Sequence, residues 1–185
     1  MRRQMRRAVT LVELMVVVAI LVFLAAIVFP VGVRSIHRAK VTSSLSKCRQ
    51  MHLATMIYRT DHDGDGRYGD IGTMGLPPPA FVLLNRFGLP EAMMQSACGN
   101  HPSEERSVLN IIYKPVYSRL FADEAMVFRE NVVLYFDMNC SDASTTIRNP
   151  FESKLGIGVL LSGQATVRRK PGDYRLASWW ADPSP

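Results

Sequence analysis

Hydrophobic side chains follow three patterns along this chain, and each predicts a different element. Residues 14–33 form an unbroken apolar run. In residues 34–60, apolar positions recur every three or four residues, as on a helix with one buried face. Short apolar segments with β-branched and aromatic residues follow from residue 131 and favour strands. The pattern predicts an α+β fold in which a long N-terminal helix packs on a small antiparallel sheet.

The apolar run is long enough to cross a membrane. No charged residue lies between Glu13 and Arg34, and about twenty apolar residues span the hydrocarbon core as a helix. A cleaved secretory signal would have a shorter apolar stretch and a small-residue cleavage site after it. We therefore expect a retained membrane helix. The basic leader MRRQMRR favours a cytoplasmic N-terminus, although Arg34, Arg38 and Lys40 flank the other end of the run.

The positive charge of the chain comes mostly from its N-terminal tip. The net charge is +6, and the first seven residues hold four of the 22 basic side chains. The rest of the chain is close to neutral. A nucleic-acid-binding domain carries its basic residues in a patch or stripe of the fold. We therefore expect no nucleic acid among the partners.

Glu13 lies where the apolar run begins, and a carboxylate there is costly. An ionisable residue inside a membrane segment faces a partner or a functional pathway. The alternative is that Glu13 lies at the level of the lipid headgroups. The residues before it are a basic leader, the small residue Ala8 and the short apolar stretch VTLV.

This arrangement resembles the processing site of type IV prepilins and type II secretion pseudopilins. The resemblance implies that a prepilin peptidase cuts between Ala8 and Val9 and that Val9 is then N-methylated. Glu13 would be the fifth mature residue and Pro30 the twenty-second, where the family has its glutamate and its helix-breaking proline. Ala8 and Val9 depart from the glycine and phenylalanine that usually flank the cut.

The resemblance implies a filament subunit and not an enzyme. Its partners would be the prepilin peptidase, other pilin or pseudopilin subunits, an inner-membrane assembly platform and membrane lipid. The Glu13 carboxylate would offset the terminal amine of Val9, because paired charges tolerate burial better than single ones. The expected filament is a type II secretion pseudopilus. The alternatives are a minor pilin of a type IV pilus (for adhesion, motility or DNA uptake) and a membrane-anchored binding domain that never assembles.

The predicted organisation has four parts. Residues 1–8 are a cleaved basic leader, residues 9–33 the transmembrane and assembly helix, residues 34–60 an amphipathic continuation, and residues 61–185 a globular pilin-like domain. The first part would lie in the cytoplasm and the last in the periplasm, with one pass through the inner membrane. Pro30 and Gly32 should weaken the helix near the outer interface.

An Asp-rich segment follows the helix and matches half of a calcium loop. Asp61, Asp63, Asp65 and Gly66 fit D-x-D-x-D-G. The usual bidentate glutamate is missing, although Asp70 could substitute from nearer. The alternative is a polar exit from the helix, since Asp and Gly favour turns. The end of the helix in planctomycete-type pseudopilins is similar. No cofactor other than Ca²⁺ is suggested by the sequence.

The remaining sequence predicts a loop-rich domain. Strands are expected over residues 131–137, 157–162 and 164–169, with an edge strand broken at Pro115 and irregular structure over residues 70–130. A disulfide between Cys98 and Cys140 is the plausible pair because both lie in loop-rich sequence, although connectivity cannot be deduced from sequence. Cys48 would remain on the helix, and Trp179 and Trp180 should cap the sheet.

No catalytic motif occurs in the sequence. Two acidic pairs could be proposed as catalytic carboxylates, but we interpret both as ordinary surface acidity. The pairs are Asp123 with Glu124, and Asp137 with Asp142.

Overall fold

A computed structural model of the chain describes residues 11–62, 64, 67–78, 90–98, 111–116, 118–141 and 149–181. It divides into two compact units, residues 1–38 and residues 39–185. The first described element, helix α1 (Leu11–Asp61), begins in the first unit and ends in the second. We describe each unit by itself.

In the first unit, α1 exposes nearly every apolar side chain. Leu14, Val18, Leu21 and Phe29 are all more than half exposed. Pro30 lies inside the helix, and α1 continues through it. Proline removes one backbone donor, so the weakening expected at Pro30 does not become a break.

The second unit packs α1 on a four-stranded antiparallel sheet, as the sequence predicted. Its strands occur in the order of the chain. Residue pairs Tyr135↔Val159 and Ile157↔Val167 fix the register of the three longer strands. The strands are β1 (Ile112–Tyr113), β2 (Val133–Asp137), β3 (Lys154–Leu160) and β4 (Ala165–Lys170).

The predicted strands and their hairpin are confirmed, with shifted ends. β3 and β4 are joined at Ser162 and Gly163, and Gly163 has φ +86°, which favours glycine. β1 is short and lies at the sheet edge, and a 3₁₀ turn over Lys114–Val116 ends it at Pro115. A proline cannot donate to a strand ladder, so the edge is where it is tolerated.

One face of the sheet receives α1. The predicted buried stripe of the helix is confirmed, since Cys48, Met51 and Thr55 are buried. Cys48 and Met51 share a core cluster with Tyr135 of β2 and Val159 of β3. On the same helix, Lys47 Nζ donates to the carbonyls of Ala92 and Gln95 at 3.0 and 2.9 Å. The helix thereby also holds the segment that leads to Cys98.

The other face of the sheet receives two tryptophans, as predicted. Trp179 and Trp180 belong to a short helix, α3 (Ala177–Trp180), and pack with Val133 and Phe136. Space for the rings comes from glycines in β3. A Cβ on Gly156 would lie 2.7 Å from the Trp179 ring. Any side chain there would clash with a densely packed interior.

The prediction that residues 70–130 are irregular is wrong in part. Helix α2 spans Ser118–Phe128 and buries Phe121 and Ala125. These two positions are four apart, on one face of the helix. Glu124 lies on the same buried face and interrupts the apolar pattern. The apolar positions at helical spacing are a helix signal that the sequence does contain.

Candidate functional site

The candidate site is the N-terminal part of α1, and most of it is hydrocarbon. Among the described residues, α1 is long and apolar enough to cross a membrane, and its most apolar 18-residue window is not buried inside the protein. The first unit, residues 1–38, does not cover these exposed apolar side chains. They require lipid or other protein surfaces, because exposure of apolar area to water costs about 25 cal/mol per Å².

Glu13 is exposed in the first turn of α1. A carboxylate is favourable there, because the first turn of a helix carries partial positive charge. Glu13 also lies only four residues after Val9, the predicted new N-terminus. Ala8 and Val9 themselves lie outside the described residues, so their processing stays a prediction.

The family model for the prokaryotic N-terminal methylation motif matches residues 3–29. The match includes the positions of Ala8, Val9 and Glu13, and it ends one residue before Pro30. This motif is the signature of type IV pilins and pseudopilins. The chain therefore carries the N-terminal signature of type IV pilin-like proteins. The match covers the apolar helix and the leader, and it does not extend to the sheet.

No curated protein and no solved structure matches the chain. The likeness to planctomycete-type pseudopilins therefore stays a prediction. For this chain, the motif implies a membrane-anchored structural subunit that prepilin peptidase cleaves and that assembles with other pilin subunits.

The Asp-rich segment is only partly described. Asp61 and Asp70 are both exposed. The Asp70 side chain accepts the backbone N–H of Thr73 at 3.2 Å, which is the role of aspartate in a turn. Asp63 and Asp65 lie outside the described residues, as does Gly66. A calcium site on these four aspartates stays a prediction.

Cys98 and Cys140 are joined in a disulfide, the pair suggested by the loop-rich sequence. The third cysteine, Cys48, is free and buried on α1. Burial raises the pKa of the Cys48 thiol, and the nearby Asp137 carboxylate raises it further. A thiol that stays protonated is a poor nucleophile, so Cys48 is a core residue and not a reactive one.

The interpretation of Glu124 as surface acidity is wrong. Glu124 is 9% exposed and forms an ion pair with Lys114, which is fully buried. Its other oxygen accepts the backbone N–H of Ala177, so one carboxylate joins α2 to α3. Burial lowers the pKa of Lys114, while the Glu124 carboxylate opposes that shift. Asp123, its neighbour, is exposed as expected.

The interpretation of Asp137 as surface acidity is also wrong, because the residue is fully buried at the end of β2. Its carboxylate accepts hydrogen bonds from Ser96 Oγ at 2.6 Å and from Asn139 N at 2.9 Å. These bonds hold the segments that carry Cys98 and Cys140. Asp142 lies outside the described residues.

Two further polar contacts fix α1 on the sheet and were not anticipated from the sequence. The Thr55 hydroxyl lies 2.7 Å from the Tyr135 hydroxyl. His52 Nε2 donates to the Leu161 carbonyl at 3.0 Å, beside the turn at Gly163. The buried polar side chains of this unit thus join its elements to one another.

Proposed function

We propose that this chain is a pseudopilin, a subunit of a type II secretion-type pseudopilus in the cell envelope. The methylation motif over residues 3–29 is the observation that carries the proposal. The peptidase would cut between Ala8 and Val9 and the new amine of Val9 would be methylated. The helix that remains would begin at the membrane and end in a domain with a core of its own.

Glu13 would select the register of an incoming subunit. Cleavage leaves a positive amine on Val9, four residues before Glu13. Each charge alone is costly in lipid. Together, the Glu13 carboxylate of one subunit and the Val9 amine of its neighbour can offset one another's desolvation. The exposed apolar side chains around them would then pack laterally against other subunits.

The proposed topology follows from the leader. MRRQMRR would remain on the cytoplasmic side, where the basic leader is favoured. The unit that contains the sheet would lie in the periplasm, where the Cys98–Cys140 disulfide persists. An inner-membrane assembly platform would extract the subunit from lipid into the filament.

The first test is the N-terminus of the protein purified from membranes, with and without the prepilin peptidase. With the peptidase, we expect a chain that starts at N-methyl-Val9. Without the peptidase, we expect a chain that keeps residues 1–8. Ala8→Gly, which restores the family's usual residue, should also be cut, whereas Ala8→Ile should not. A chain that keeps residues 1–8 in the presence of the peptidase would contradict the proposal and leave a plain membrane anchor.

The second test separates a pseudopilus from a surface pilus. Deletion of the protein should leave export cargo in the periplasm, and mechanical shearing of cells should release no filament that contains it. Recovery of the chain in sheared surface filaments, with export intact, would contradict the pseudopilus and favour a minor pilin.

A further inference from the structure

One turn of the second unit presents an aromatic ring almost entirely to solvent. Phe151 lies in the turn before β3 and is 89% exposed, the largest exposed fraction of any large hydrophobic side chain in the described parts of the chain. Isolated exposed apolar residues are common. The exposure of Phe151 calls for an explanation only if hydrogen bonds fix the backbone of its turn.

The turn is held by hydrogen bonds on both sides of Phe151. The Asn149 side chain accepts the Phe151 backbone N–H at 3.1 Å and donates to the Glu152 carboxylate at 2.8 Å. The Pro150 carbonyl accepts the N–H of Gly172 at 2.7 Å, which joins this turn to the one after β4. Lys154 Nζ donates to the Asn149 carbonyl. The ring is therefore presented by a fixed backbone.

This turn lies at the end of the unit where α1 enters it. Leu155, close after the turn, shares a cluster with Val41, near the start of this unit. The opposite end of β3 is near His52, which binds the carbonyl of Leu161. The Val41 end is also the end that the chain joins to the apolar run. Residue 39, where this unit begins, follows Val33, the last residue of that run, by six positions, a link that spans about 20 Å when fully extended.

The same end of the unit is basic. Residues 168–175 contain four basic side chains and one acidic one, Asp173, which pairs with Arg175 at 2.8 Å. Arg169 on β4 and Arg175 in the following turn are exposed, as is Leu176, at 43%. Aromatic side chains are enriched at the headgroup level of membranes, and clusters of Lys and Arg near a membrane attract anionic lipids.

We propose that this end of the unit docks on an anionic lipid surface. Phe151 would enter the headgroup layer, and the basic side chains of β4 and the following turn would face the lipid phosphates. Docking would hold the unit against the membrane before the subunit is extracted into a filament. The proposal rests on the membrane anchorage contained in the proposed function.

The test places a tryptophan at each end of the unit in the full-length protein. Phe151→Trp reports the proposed docking end. Val127→Trp is the matched control at the opposite end, because Val127 is 74% exposed near the end of α2. Glu130, close after it, lies 3.6 Å from Arg59, near the far end of α1. Each variant is inserted, one copy per nanodisc, into phosphatidylcholine with or without phosphatidylglycerol, with brominated acyl chains as quencher. The wild type, with buried Trp179 and Trp180, supplies the baseline.

We expect quenching of the Phe151→Trp fluorescence to exceed that of Val127→Trp several-fold in discs that contain phosphatidylglycerol. The difference should shrink in pure phosphatidylcholine and at high salt, because headgroup attraction is screened. Equal quenching of the two variants would overturn the proposal. N-terminal sequencing of the same samples shows separately whether processing at Ala8 has failed.

Discussion

The two parts of α1 have opposite surroundings, although they belong to one helix. Residues 11–38 expose almost all of their apolar side chains, whereas residues 39–61 bury a stripe against a sheet with its own core. The exposed apolar side chains of the first part are more stable in lipid or against other protein surfaces than in water, whereas the second part is stabilised by contacts within its unit. Substitutions in the first part should change insertion and assembly, while substitutions in the second should change the free energy of unfolding.

The largest expected loss of stability comes from the buried ion pair. Glu124→Ala leaves the ammonium of Lys114 buried without its partner, and breaking such a pair costs about 3–5 kcal/mol. The Ala177 N–H also loses its acceptor. Chemical unfolding should show this loss, whereas Asp123→Ala, one residue away and exposed, should stay within about 0.5 kcal/mol of the wild type. An equal effect of both changes would contradict the burial of the pair.

Removal of a capping tryptophan should cost nearly as much. Trp180→Ala empties the space over Gly158 on the sheet face opposite α1, and a large-to-small change of this kind costs about 3–5 kcal/mol. Phe151→Ala is the comparison, since its ring has almost no contact to lose and should change the free energy of unfolding by less than about 0.5 kcal/mol. Thermal unfolding of both variants measures the difference. A Trp180→Ala variant as stable as Phe151→Ala would show that the ring is not packed.

Loss of the disulfide should have the next largest effect. The double variant Cys98→Ser, Cys140→Ser opens a link between residues 42 apart in the chain, which costs about 2–4 kcal/mol. Cys48→Ala keeps the bridge and removes only a small buried group, so it should cost less. Unfolding in denaturant compares the two. If the double variant is as stable as the wild type under oxidising conditions, the bridge does not contribute to the fold.

The smallest expected effect is on the pH dependence of stability. Burial raises the pKa of Tyr135 above its ordinary value, although the hydrogen bond with Thr55 opposes this. The unfolded chain therefore loses the phenol proton first. Stability is fully present below about pH 10 and falls as the pH rises further, by up to about 1.4 kcal/mol per pH unit for one group.

Tyr135→Phe should remove this contribution and flatten the alkaline fall. Thr55→Val is the matched control, because it loses the same hydrogen bond but keeps the phenol, so the steep fall should remain. Burial also raises the pKa of Tyr113, which both variants retain. Unfolding free energies at pH 9 and pH 11 measure the slopes. Equal slopes in the two variants would contradict the assignment.

Much of the fold could be predicted because its signals are local. The uninterrupted run after Glu13 predicts a membrane helix, and the periodicity from Val41 to Tyr58 predicts the stripe that α1 buries. The β3–β4 hairpin follows from alternation around Ser162 and Gly163. Each of these signals lies within one element, so neighbouring residues suffice to identify it.

The buried carboxylates could not be predicted, because their partners are distant in the chain. Asp137 is buried with Ser96, which lies 41 positions earlier. Glu124 is buried because Ala177, 53 positions later, donates to it. Without those partners, each residue resembles an ordinary surface acid. The predicted processing and assembly residues Ala8, Val9 and Glu13 were recognised from their spacing in the sequence, and their roles stay predictions.

The most direct test of the division between the two parts of α1 is the variant Glu13→Ala, with Leu14→Ala as the neighbouring control. The assembled fraction in membranes is measured by cross-linking, and the melting temperature of the unit that contains the sheet is measured on the same variants. We predict that assembly falls at least roughly tenfold for Glu13→Ala, because an unpaired charge in a buried site costs several kcal/mol, whereas Leu14→Ala assembles nearly normally. Neither variant should change the melting temperature. Normal assembly of Glu13→Ala, or a lower melting temperature, would contradict the account.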